Sequence, residues 1–174
     1  RNSLAFRLFL SATAWIVVIL LAAGIGLSSL YRHAVERSFD SRLGVYLRTL
    51  VAAVAAPEEG VDRGNFSLGE PLFELPLSGW YWQIKRLDPA KPETRVSRSL
   101  WDGTLPNLAD RGVEAERDGT RRSYAAGPED QHLRLVERIV DLGEDGHYLI
   151  SVAGDPIEIT EETQAFNQTL LITF

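Results

Sequence analysis

Any chemistry in this 174-residue sequence has to come from a short inventory. There is no cysteine, which removes thiol nucleophiles, thiolate metal sites and disulfides together. No serine stands in a nucleophile elbow and no HExxH pair occurs. The three histidines are His33 beside an apolar run, His132 at the opening of an alternating segment, and His147 after a turn. Such positions read as exposed or edge histidines rather than as a base, proton sensor or metal ligand. Glu158, Glu161 and Glu162 fall at i, i+3 and i+4, so on a helix Glu158 shares a face with the other two. Clustered carboxylates suit hard divalent cations, and these three are the candidate metal ligands. Favourable charge at a helix N-terminus explains Glu158 and Glu161 without any ion. Trp80, Tyr81, Trp82 and Trp101 are the candidate ligand-pocket residues, although aromatic clusters on sheets are most often core. No catalytic or cofactor-binding residue is identified. The glycine-acid run Gly143 to Gly146 is turn chemistry, and Gly24-Ile25-Gly26 lies in an apolar run and lacks a third glycine, so neither is a nucleotide loop.

The elements that would position these residues begin with a membrane span. Leu8 to Tyr31, LFLSATAWIVVILLAAGIGLSSLY, carries no charge and is bracketed by Arg7 and Arg32. As a helix it is roughly 36 Å long, enough to cross a hydrocarbon core of about 30 Å. A signal peptide cleaved near Val51 to Pro57 is the competing reading, but its apolar region is shorter and lies close to the cleavage site. Small residues at Ala22 and Gly26, or at Gly24 and Ser28, would let two spans approach. Arg1 and Arg7 precede the span without an acid, which places the N-terminus in the cytoplasm and the rest outside it. Without these two arginines, 16 basic residues face 24 acidic ones, a net charge of −8. That excludes nucleic acid as a partner, because phosphate contacts need clustered Lys and Arg. The lack of any methionine implies a piece of a longer protein.

Beyond the span, Phe39, Leu43, Tyr46, Leu47, Leu50 and Val54 recur at spacings of three and four, which extends the helix to about Ala56. This stripe suits packing on a sheet or on the same helix of a second subunit. Pro57 to Gly79 reads as a connection. Trp80 to Leu87 is the strongest strand signal, with Trp80, Trp82 and Ile84 alternating with Tyr81, Gln83 and Lys85. Thr94 to Trp101 is a weaker strand, with Val96 and Leu100 on one face, and a short strand is expected near Arg121 to Ala125. Gln131 to Leu142 and His147 to Ala153 form a hairpin around Gly143 to Gly146. The break in alternation at Leu135 and Val136 implies a bulge or burial on both faces. Asp155-Pro156 starts a helix, and the uncharged Ala165 to Phe174 opens a second span. The expected order is a cytoplasmic flank (1–7), transmembrane helix (8–31), extracytoplasmic domain (32–164) and the start of a second transmembrane helix (165–174). The fold class is α+β, an antiparallel sheet with flanking helices.

The first span running into a helix, the stretch Leu77-Ser78-Gly79-Trp80-Tyr81-Trp82-Gln83-Ile84, the closing Ile150-Ser151-Val152-Ala153-Gly154-Asp155 and the helix feeding a second span together resemble one known family. This is the N-terminal sensor region of bacterial two-component sensor histidine kinases, and the PhoQ-like group in particular. The resemblance implies a PAS-like extracytoplasmic fold and a homodimeric parent in the bacterial inner membrane. It also implies that the parent uses ATP and Mg to phosphorylate a cytoplasmic histidine and passes the phosphoryl group to a response regulator. The helix carrying Phe39 to Val54 would then transmit the signal. His33-Ala34-Val35-Glu36-Arg37 does not match the family's phosphoacceptor box, and the contiguous acidic run of PhoQ-like proteins is absent. Two other readings of the layout are the sensor region of a diguanylate cyclase or chemoreceptor and a membrane-anchored interaction module.

Overall fold

The computed structural model describes residues 4–55 and 68–157. The chain divides into two compact units, one holding Arg1–Ser38 and the other spanning Phe39–Pro156. A single helix, α1 (Leu4–Ala55), supplies the described part of the first unit apart from Ile157, and the opening of the second. Proline is absent throughout α1, and Pro57 follows it, a residue that disfavours helical geometry at the position before it. By length and composition α1 is able to cross a membrane. The apolar residues of its first part lie open: Phe9 is 69% exposed and Ile25 71%. A core helix of a soluble domain would bury such residues, so this face requires lipid or another protein.

The second unit is built on five strands, β1 (Tyr81–Arg86), β2 (Thr94–Val96), β3 (Thr120–Ala126), β4 (His132–Asp141) and β5 (His147–Gly154). They form one antiparallel sheet in the order β2-β1-β5-β4-β3, which places the first and last long strands side by side at its centre. Cross-strand partners share a face, so the register sorts the side chains into two sets. Trp82, Ile84, Ile150, Val152 and Val136 point to one side. Tyr81, Gln83, Ser151, Ala153, Leu135 and Glu137 point to the other.

The first of these faces is covered by the second half of α1. Phe39, Leu43, Leu47, Leu50 and Val54 are buried within the chain, each contributing about 1.5–3 kcal/mol of apolar burial. Of the two packings open to the stripe from sequence, the chain therefore uses its own sheet. A close approach is possible because β5 ends in Gly154, where a Cβ would sit 2.8 Å from Phe39 Cζ and 3.2 Å from Leu43 Cδ2. The opposite face is covered by the segment after β2, whose Leu100, Leu105 and Leu108 pack with Tyr81, Ala125, Leu133, Leu135 and Ala153. Both faces being covered, β1 and β5 are buried along runs rather than at alternate residues.

The expected strand at Thr94 to Trp101 ends early. β2 stops at Val96 and a 3-10 turn, Arg98–Leu100, follows. Two serines cause the change of course. Ser97 N donates to the Trp82 carbonyl at 2.9 Å, Trp82 N donates to Ser97 Oγ at 3.1 Å, and Ser99 Oγ donates to the Trp80 carbonyl at 2.6 Å. Val96 and Leu100 nonetheless reach the same core cluster. Leu135 and Val136 are both fully buried in an unbroken register with β3 and β5, so burial on two faces, not a bulge, explains the lost alternation. β3 begins one residue before the expected position and ends one after it. Past Pro156 the first helical residue is Ile157. The start of a second span expected at 165–174 lies outside the described residues.

Candidate functional site

Three places in the second unit gather functional groups, and the seam between α1 and the sheet is the most extensive. Trp80 enters β1 with its ring 5.5 Å from Phe39, 6.3 Å from Tyr46 and 6.2 Å from Phe73, centroid to centroid. The Arg42 guanidinium lies 4.7 Å over the same ring, a cation–π contact. Tyr46, half-buried, donates its hydroxyl to Glu70 Oε2 at 2.9 Å, and burial followed by that carboxylate pushes the phenol pKa up. At the other end of the seam Asp40 and Arg134 pair bidentately, Nε–Oδ1 at 2.8 Å and Nη2–Oδ2 at 2.7 Å. Both side chains are only 14% exposed, and fork-to-fork geometry fixes orientation as well as charge. Arg134 also lies 4.8 Å over the Tyr124 ring, which stacks on His132 at 4.9 Å. The six residues of the stripe, Phe39, Leu43, Tyr46, Leu47, Leu50 and Val54, thus line one contact surface, with Tyr46 at its margin.

The second place is a row of buried polar groups on the opposite face. Gln83, Ser151 and Glu137 are paired across β1, β5 and β4 and are each at most 4% exposed. Glu137 accepts Leu108 N at 2.9 Å and Ala109 N at 3.0 Å, and Gln83 Oε1 accepts Leu105 N at 3.0 Å. The row thereby ties the covering segment to the sheet. Burial raises the Glu137 pKa, opposed by the two backbone N–H groups and by Arg121. Ser151 Oγ has no hydrogen-bond partner among the described residues.

The third place is an open depression of about 460 Å³ lined by Glu74, Pro76, Arg98, Trp101 and Asp102. It collects one of the four aromatic pocket candidates. Trp80 and Trp82 lie buried on the helix side of the sheet, Tyr81 is buried on the other side, and Trp101 is 68% exposed. Tyr81 donates its hydroxyl to Gln131 Oε1 at 2.6 Å, and burial raises its pKa. The four candidates are thus divided between the two faces of the sheet and the open depression.

His33 is exposed, with Nδ1 3.8 Å from Glu36 Oε2. His147 lies between two carboxylates, Nδ1 3.2 Å from Asp88 Oδ1 and Nε2 3.4 Å from Asp141 Oδ2. Its backbone N–H, then its ring, and then Arg86 hold the Asp88 pKa below the usual carboxylate range. Among the described residues no group of three or more His, Asp or Glu is placed to hold a metal ion. Glu158, Glu161 and Glu162 lie outside the described residues.

Sequence reasoning missed the buried row and the Asp40–Arg134 pair. Glu137 left one trace, because it continues the alternation of Leu133 and Leu135 and so falls on an inward position. The Asp40–Arg134 pair left none, its partners being 94 residues apart. No family model, curated protein or solved structure matches this chain.

Proposed function

We propose that this chain is the signal-sensing input region of a bacterial membrane sensor histidine kinase in a two-component phosphorelay. The observation that carries the reading is that one helix, long and apolar enough to cross a membrane, continues without a break into the stripe buried on the sheet of the second unit. A change in the sheet that alters its grip on Phe39 to Val54 acts directly on the helix that enters the bilayer. The strand order, with β1 and β5 adjacent at the centre, is compatible with a PAS-like identity for the domain. The reading places the second unit on the extracytoplasmic side of the inner membrane. It assigns ATP and Mg to catalytic parts of the parent outside this chain.

The stimulus works by unequal affinity for two arrangements of the helix, since a ligand that binds both equally shifts nothing. A homodimer is expected from the same reading. Because the buried stripe is engaged by the sheet, the contact between subunits uses the span and the opposite side of α1, where Val45 is 50% exposed. The test is to incubate membranes carrying the full-length parent with radiolabelled ATP. Label that survives base and is lost in acid, and that passes to a response regulator, supports the proposal. A parent that makes a cyclic dinucleotide, or that binds an extracytoplasmic partner with no cytoplasmic response, overturns the kinase assignment.

A further inference from the structure

Trp101 occupies a backbone position where glycine is the usual residue. Its φ of 56° and ψ of −118°, with Gly103 N donating to the Leu100 carbonyl at 2.9 Å, describe the first corner of a II′-type turn. A bulky side chain is disfavoured there, and this one is also 68% exposed, so neither backbone preference nor core packing accounts for it. The turn is nevertheless firmly held. Ser97 and Ser99 are buried, hydrogen-bonded to each other at 2.8 Å and anchored to the β1 backbone. Leu77, itself at φ 55°, donates its N–H to the Ser99 carbonyl at 2.9 Å and brings the Glu74 to Leu77 segment alongside. Strain that the surroundings maintain at an exposed aromatic is a reason to look for a ligand.

The lining says which ligand. Trp101 and Pro76 are its apolar walls, and its charges are Glu74, Asp102 and Arg98. Arg98 Nε stands 3.5 Å from Glu74 Oε2, so these two charges largely offset one another and Asp102 gives the depression a net negative character. An indole face attracts cations, and the chain as a whole carries a net charge of −6, which favours their approach. We propose that the depression between Glu74 and Asp102 binds a small organic cation, an alkylammonium group lying over the Trp101 ring with its charge toward Asp102. The proposal does not depend on the kinase reading, because it concerns binding alone.

The full chain in detergent micelles is titrated with (2-hydroxyethyl)trimethylammonium, and with the uncharged isostere 3,3-dimethylbutan-1-ol as its neutral counterpart, with tryptophan fluorescence as the readout. Trp15→Phe removes the other exposed tryptophan. The expected result is a saturable change with the cation, about five-fold weaker for the alcohol and for Asp102→Asn, each having lost the charge attraction. Trp101→Gly should abolish the change while raising the midpoint of thermal unfolding, because glycine fits the turn. Equal binding of cation and alcohol, no saturation with the cation, or a saturable change retained in Trp101→Gly overturns the proposal. A Trp101→Gly variant less stable than the parent chain removes its premise of maintained strain.

Discussion

Replacing Glu137 by Gln tests how the covering segment is held. The carboxylate accepts two backbone N–H groups, from Leu108 and Ala109, while fully buried. The amide of Gln has nearly the same volume but offers one acceptor oxygen, and its NH2 group meets the second donor. Ala109 N keeps Asn107 Oδ1 at 2.9 Å, so the variant loses one hydrogen bond, of roughly 0.5–1.5 kcal/mol while the carboxyl is neutral. The destabilisation is therefore about 1 kcal/mol, or roughly 3–6 °C for a domain of this size, at low pH, and relief of the buried charge offsets it where the carboxyl of the parent chain ionises. The pH dependence has a fixed sign. The folded pKa of Glu137 is raised, so its contribution is fully present below the unfolded carboxylate value and falls as pH rises through the folded one. Gln does not titrate, and the deficit of the variant therefore narrows with rising pH. Urea unfolding of the full chain in micelles, followed by tryptophan fluorescence across that window, measures it. No deficit, or one that widens with pH, refutes the reasoning.

Gly154→Ala places a methyl against Phe39 and Leu43 and should cost about 1–3 kcal/mol as the helix is forced from the sheet, seen as a lowered urea midpoint. Leu43→Ala, at a fully buried position, should cost about 2–5 kcal/mol in the same assay. Cysteine introduced at Leu43 or Leu50 should resist thiol reagents in the folded chain, whereas cysteine at the exposed Val45 should react quickly; equal rates would contradict burial of the stripe within one chain. Asp88 has a depressed pKa, so its stabilisation holds above the usual carboxylate value and is lost as pH falls through the depressed one. Asp88→Asn should accordingly flatten the acid limb of the stability profile, and an unchanged limb would count against the His147 contact.

The parts of the fold with strong local periodicity were legible in the sequence. The uncharged run from Leu8 to Tyr31, the stripe from Phe39 to Val54 and the alternation around Trp80 to Ile84 each mark an element by its own spacing. What local spacing does not carry is which surface covers which. The stripe is equally suited to a sheet or a second helix, and only the assembled chain, with Gly154 admitting Phe39, decides for the sheet. Trp80, Tyr81 and Trp82 are consecutive and thus alternate between faces, so adjacency in sequence works against a shared pocket. The strand expected at Thr94 to Trp101 forms only over Thr94–Val96, because Ser97 and Ser99 then bond to the β1 backbone, a tertiary contact that outweighs strand propensity. Asp40 and Arg134 are ordinary surface charges until the fold brings them together.

In the proposed function the hold of the sheet on α1 sets the state of a membrane kinase, and the Asp40–Arg134 pair is the place to test it. Steady-state phosphohistidine should be measured in membranes carrying the full-length protein with Asp40→Arg, Arg134→Asp or both. Each single change leaves two like charges facing across a contact that is mostly shielded from water, whereas the double change restores an opposite pair. An altered phosphohistidine level is expected in both single variants, with a return toward the wild-type level in the double variant. Three variants indistinguishable from wild type, or no phosphohistidine in any of them, would contradict it.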